Sequence, residues 1–227
     1  MEAHTRFGIE PLQLMEVAGW QVAQFVDRFL GGVAGRRVLV VAGGGNNGGD
    51  ALVAGRFLHQ RGAGVQVSIV PSTDRQSLAA RHEVTIRRLG LTVARAPEGI
   101  DATADLMIDG LLGTGIRPPL RELAADIIAA VNHSGRPIIA VDVPSGIDAD
   151  TGIGWESAIQ ATATVTLAAP KAGLRHAPNA GRVFVADIGM PSILFSPGAE
   201  AVQNIYRTGA LVELIGDDPP QSETTPI

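Results

Sequence analysis

Apolar residues along this chain fall into two alternating rhythms. Uninterrupted β-branched runs, Val38-Leu39-Val40-Val41-Ala42 and Pro137-Ile138-Ile139-Ala140-Val141 foremost, carry no polar alternation and so predict strands covered on both faces. Residues 65–70 and 105–108 predict two more, and 92–96 a weaker one. Between these runs apolar positions recur at helical spacing: Leu52, Ala54, Phe57 and Leu58 within 48–61, Ala79, Ile86 and Leu89 within 76–89, and the stretch 120–132. Gly62 or Gly64, Gly90 and Gly135 supply the stops, as residues that tolerate the left-handed conformation ending a helix. Strands and helices in regular succession predict an α/β fold with a mainly parallel sheet, because right-handed crossovers place helices on both faces. The result is a three-layer α/β/α, Rossmann-like arrangement.

After Pro144 the rhythm changes. Residues 162–168 and 183–187 read as strands with no helix between them and are expected at the edge of the same sheet. At the front, 12–30 is helical in character, with Leu14, Val17, Val22, Phe25 and Val26 apolar, and lies outside the alternation. Its expected place is on the flank or against another subunit. The polar, proline-containing stretch 216–227 is expected to be a disordered tail behind a single domain over 1–215.

Composition narrows the partners. Among 227 residues, 18 Lys and Arg stand against 23 Asp and Glu, a net charge of −5, so there is no basic surplus for nucleic acid or an anionic membrane to bind. A small-molecule partner is expected. With no cysteine, disulfides, thiolate metal sites and cysteine nucleophiles are excluded. No run approaches the roughly 18 apolar residues of a membrane span, and 1–14 lacks the order of a signal peptide, so a cytoplasmic location is expected.

Candidate chemistry collects at the carboxyl ends of the predicted strands, where ligands bind in open parallel sheets. Gly43-Gly44-Gly45-Asn46-Asn47-Gly48 satisfies a dinucleotide fingerprint in the required setting, after a strand and before a helix. Asp50, expected in the first turn of that helix, reads either as a helix cap or as a ligand to ribose hydroxyls or a cation. Asp109 and Asp142 end apolar strands, and a carboxylate buried there needs a partner. Together with Asn46, Asn47 and Ser145 they form an all-oxygen set suited to a hard cation. Gly113-Thr114-Gly115 offers amides and a hydroxyl to a phosphate. The five histidines show no triad or metal spacing and read as surface or satisfied residues. Lys171 is the one lysine in the chain; it reads either as a compact ammonium placed near a phosphate or as a residue of a solvated loop, and the loop is the expected setting.

Six strings in order resemble one family, the NAD(P)HX epimerases built on the YjeF N-terminal domain. They are Leu14-Met15-Glu16-Val17-Ala18-Gly19, Gly45-Asn46-Asn47-Gly48-Gly49-Asp50, Asp109-Gly110-Leu111-Leu112-Gly113-Thr114-Gly115, Val141-Asp142-Val143-Pro144-Ser145-Gly146, residues 161–166, and Pro170-Lys171-Ala172-Gly173-Leu174. The resemblance implies an enzyme that interconverts the R and S forms of hydrated NADH and NADPH, with a separate ATP- or ADP-dependent dehydratase then repairing the S form. It implies that Asn46, Asn47, Gly48, Gly49 and Asp50, with Gly113, Thr114, Gly115, Ile116, Arg117, Pro118 and Pro119, hold the dinucleotide. It further implies that Asn47, Asp109 and Ser145 bind one potassium ion per subunit, that Asp142 contacts the hydrated ring, and that the enzyme is a homodimer. The chain departs from the pattern at Ala51, where the family commonly has glycine, a change expected to be harmless. It is also expected to lack part of the usual leading helix and, with no dehydratase segment following, to epimerise without completing repair.

Asp142 is the expected acid and base of the reaction, on the reading that strand burial raises its pKa. Two other readings compete. A non-catalytic dinucleotide-binding or scaffold module of the same fold would have no need of Asp109, Asp142 and the two asparagines. An ordinary NAD-dependent oxidoreductase is disfavoured by the missing acidic residue at the end of the second strand.

Overall fold

A computed structural model describes residues 2–100, 102–115 and 119–214 of the chain. Its strands are β1 (Arg37–Ala42), β2 (Gly64–Ile69), β3 (Thr92–Arg95), β4 (Leu106–Gly110), β5 (Ile138–Val141), β6 (Ala163–Leu167), β7 (Arg182–Ala186) and β8 (Leu211–Leu214). They form one sheet in the order β3-β2-β1-β4-β5-β6-β7-β8, with every neighbouring pair parallel except the antiparallel β7 and β8. Its helices are α1 (Glu2–Phe7), α2 (Pro11–Phe29), α3 (Asn46–Gln60), α4 (Leu78–Arg88), α5 (Glu122–His133) and α6 (Ala199–Tyr206).

Strand side chains alternate between the two faces, and the core divides accordingly. Val38, Val40 and Ala42 of β1 pack with α2 and α3 on one face, while Leu39 and Val41 pack with Ile127, Ile128 and Val131 of α5 on the other. A fully buried Val or Leu contributes roughly 1.5–3 kcal/mol, so these two layers are the main source of stability. The order in which strands join the sheet reverses between β1 and β4. The crossover through α3 leads from β1 to β2 on one side, and the crossover through α5 leads from β4 to β5 on the other. Loops leaving β1 and β4 therefore diverge and open a crevice at the carboxyl ends of the strands, the place where α/β folds bind ligands.

The predicted strands and helices are present, their ends displaced by at most two residues. The late segments differ from expectation. β6 and β7 join the sheet as interior strands, because β8, which carries no clear pattern in the sequence, covers β7. The chain crosses from β6 to β7 through two short 3-10 turns, Ala172–His176 and Pro178–Ala180. No crossover helix shields that half of the sheet, and α2 takes the role. Val22 and Val26 of α2 are fully buried in the same cluster as Val165 of β6, and the Gln21 amide donates to Asp187 O (2.8 Å) and Ala210 O (3.3 Å). Tyr206 closes the far side of this region. Its hydroxyl lies 2.9 Å from Ala168 O and 3.0 Å from Ala186 O, which ties the end of α6 to the ends of β6 and β7. The expected tail, 216–227, lies outside the described residues, and among those described no helix is long and apolar enough to cross a membrane.

Candidate active site

The glycine loop after β1 brings α3 close to the strand. A Cβ on Gly48 would sit 1.8 Å from Gly43 O, so only glycine lets the first turn of α3 settle on the loop. Gly45 is the N-cap, and the helix starts at Asn46, two residues earlier than its apolar spacing suggested. Asp50 is therefore the fifth residue of α3, beyond the reach of the free amides, and the capping reading falls. Instead it is buried against the cleft, 9% exposed. Its pKa is raised well above the usual carboxylate range, first by burial and then by the charge of Asp142, with Lys171 opposing. Ala51, the departure from the family pattern, is accommodated because position 110 is glycine: a Cβ there would lie 2.4 Å from the Ala51 Cβ.

Asp109, at the carboxyl end of β4, is 1% exposed and accepts three hydrogen bonds. Its Oδ1 accepts from the Ser145 hydroxyl (2.6 Å) and Leu111 N (3.2 Å), and its Oδ2 from Ser145 N (2.8 Å). Burial pushes its pKa up to about 6, against the pull of those hydrogen bonds. Leu112 joins this group to α3, since its amide donates to Ser145 Oγ (2.8 Å) and its carbonyl accepts from the Asn47 amide (2.7 Å). The three residues expected at a cation are thus drawn together around one peptide. The donor set fits such an ion: one buried carboxylate lacking a cationic partner in its hydrogen-bond set, a hydroxyl, and an amide oxygen left free by the donation of Asn47 Nδ2. Among the described residues no group of three or more His, Asp or Glu that could hold a metal ion forms.

Asp142 follows β5 in the left-handed conformation, φ 66°, which aims its side chain across the ends of β5 and β6. There Oδ1 accepts from Leu167 N (3.0 Å), from Thr166 Oγ1 at the long distance of 3.4 Å, and from the ammonium of Lys171. All are donors, as an anionic acceptor requires. Asp142 thus has the partner that a carboxylate at a strand end was expected to need, and that partner is Lys171; the deeply buried carboxyls are Asp50 and Asp109.

Lys171 is the residue that sequence reasoning passed over. Instead of occupying a solvated loop, it follows β6 into the 170–173 turn and folds back. Its Nζ donates to Leu167 O (2.6 Å) as well as to Asp142. The turn is held by close glycine packing, since a Cβ on Gly173 would meet Gly152 N at 2.3 Å. The histidine reading also needs correction at one position. His82 lies on the inward face of α4 with Ala79 and Ile86, its Nε2 buried without a hydrogen-bond partner and 4.0 Å from Glu16 Oε1. Burial lowers its pKa.

A cleft of about 570 Å³ has a polar part lined by Asn46, Asp50 and Thr114 and an apolar wall that includes Met15, Leu78, Leu167, Ile188, Met190 and Phe195; Leu167 is the residue through which it reaches the Asp142–Lys171 pair. Gly48 and Gly49 are buried in the first turn of α3, Gly113 is half-buried, and Gly115 and Pro119 are exposed. Ile116, Arg117 and Pro118 lie outside the described residues. A second hollow, of about 480 Å³, lies at the other end of the sheet between the end of α5 and 154–160 and contains none of the expected residues.

Residues 11–173 match the family described as YjeF-related protein N-terminus. The chain belongs to this family. YjeF-related relatives include the bifunctional NAD(P)H-hydrate repair enzymes of Moorella thermoacetica, 40% identical over 85% of this chain and 39% of that one, and of Hyperthermus butylicus, 42% identical over 81% and 35%. The chain spans less than half the length of these curated relatives. A solved yeast protein, 30% identical, superposes with a TM-score of 0.73 over 82% of each chain. The family match runs from α2 through the 170–173 turn, and so includes every element that carries Asp50, Asp109, Asp142 and Lys171.

Proposed function

We propose that this chain epimerises NADHX and NADPHX, the forms of NADH and NADPH that carry an added water on the nicotinamide ring. The observation that carries the reading is the polar end of the cleft, lined by Thr114 and by Asn46 and Asp50 at the start of a dinucleotide-type helix, together with the Asp142–Lys171 pair, whose charges act on Asp50 and whose Nζ is anchored on the carbonyl of the cleft residue Leu167. The matched relatives are named for repair of the same compounds.

The hydrated carbon adjoins the ring nitrogen, whose lone pair helps to expel the hydroxyl. The C–O bond breaks with its electron pair on oxygen, leaving a flat iminium-like ring. Water returning to either face regenerates the R or the S form. The chain has three tasks: to hold the dinucleotide, to stabilise the positive ring and to move one proton. Amides at the start of α3 and in 113–115 would face the pyrophosphate, beside Asp50, whose pKa burial raises above the ordinary carboxylate range. The carboxylate of Asp142 lies opposite the developing positive charge, and we place the proton transfer at Asp142 and its partner. Asn47, Asp109 and Ser145 would hold a potassium ion, which would supply a fixed positive charge to the site.

The test is direct. Mixed NADHX epimers are incubated with the chain, an excess of S-specific dehydratase and ATP. Conversion of the R form to NADH faster than its spontaneous epimerisation is expected, and a rate equal to the uncatalysed one removes the reading in favour of a scaffold. Replacing potassium by tetramethylammonium is expected to slow the reaction; equal rates in both salts remove the ion. A homodimer is part of the reading, and light scattering decides it.

A further inference from the structure

We propose that Lys171 and Asp142 form an acid–base pair, with the ammonium giving a proton to the departing hydroxyl and the free carboxylate oxygen taking one from the entering water. The inference rests on the proposed epimerase reading and deepens it by assigning each half of the proton transfer.

The assignment comes from counting donors and acceptors. An ammonium has three N–H bonds. Two of those on Lys171 are directed to Asp142 Oδ1 and Leu167 O, and the third has no acceptor among the described residues. Likewise, every hydrogen bond to the Asp142 side chain ends on Oδ1, so Oδ2 retains its accepting capacity. Both groups keep some contact with solvent, with side-chain exposures of 21% for Lys171 and 16% for Asp142, and the carbonyl that anchors Nζ belongs to Leu167, a residue of the cleft wall. One spare donor and one spare acceptor thus lie side by side, joined to the pocket through Leu167.

The protons balance. As the C–O bond breaks, oxygen keeps the electron pair and takes a proton from Nζ, which becomes a neutral amine while water is released. When water adds to the other face of the flat ring, its oxygen supplies the new bond and its proton passes to Asp142 Oδ2. The carboxylic acid and the amine then lie next to each other, and transfer of the proton between them restores the starting ion pair. No oxidant, reductant or further reactant enters.

A solvated lysine, or one that only pins a loop, would not behave this way under substitution. Lys171→Met keeps the length and apolar stem of the side chain and removes every donor. With the wild-type chain first shown to epimerise, the variant is expected to lose at least about a hundredfold in kcat, within the range typical of general acid–base groups, while KM changes by less than about threefold. If the wild type itself is inactive, the epimerase reading fails instead. The absence of cysteine allows a second arm. Lys171→Cys presents a single thiol, and its alkylation with 2-bromoethylamine rebuilds an ammonium at that position alone. Recovery of at least about tenfold in kcat after complete labelling is expected. A Lys171→Met protein that keeps more than a tenth of wild-type kcat overturns the proposal, as does a fully labelled, folded Lys171→Cys protein with no recovery.

Discussion

Buried in the side of the cleft, with no hydrogen bond from the described residues to offset the loss of water, the Asp50 carboxyl holds its proton to a higher pH than a free aspartate does. The consequence for stability has a definite sign. Unfolding releases that proton once the pH exceeds the unfolded value of 3.8, so wild-type stability falls as pH rises from there towards the raised folded pKa. Asp50→Asn removes this dependence. Relative to wild type, the variant is expected to become more stable by up to about 1.4 kcal/mol per pH unit across that window, as read from urea melts at several pH values. A gap that does not change with pH means that the Asp50 carboxyl is ionised and paired in the native state. The sequence marked Asp50 as notable but left it between cap and ligand, since the choice turns on whether α3 starts at Asn46 or Gly48. Lys171 was harder to read. Its partner is 29 residues away and is reached only because two turns lock through Gly152 and Gly173; being the one lysine in an arginine-rich chain was the available sign.

The elements that position these side chains differ in how openly the sequence declares them. β1, β4 and β5 are buried on both faces and show as unbroken apolar runs, so the ends that carry Asp109 and Asp142 could be located in advance. β8 and α6 are short, and β8 is only half-buried; a four-residue strand sitting on a sheet edge needs no apolar run. The joint between β1 and α3 depends on contact between backbones. Gly48→Ala is expected to destabilise the chain by about 3 kcal/mol or more, since its Cβ would meet a peptide carbonyl that cannot rotate away. Thermal unfolding measures this, and a melting temperature within about 2 °C of wild type would show that the loop gives way.

Across the whole molecule, the reversal of strand order between β1 and β4 concentrates the acidic residues at one end of the sheet and leaves the opposite end to turns. The cleft is therefore built from both halves of the sheet, and its chemistry depends on their staying in register. Tyr206 stands on the seam that holds the second half together. It is the one tyrosine in the chain, and burial, then the charge of Asp187, raise its pKa above the ordinary value of 10. Stability is expected to fall as pH climbs past 10, because the unfolded chain releases this proton first. A single phenol on such a seam is an optical gauge native to the protein. Its ultraviolet phenolate band should stay silent in alkali until the last helix lifts from the sheet, then rise together with the loss of ellipticity, so that one absorbance trace times the parting of the strands beneath it.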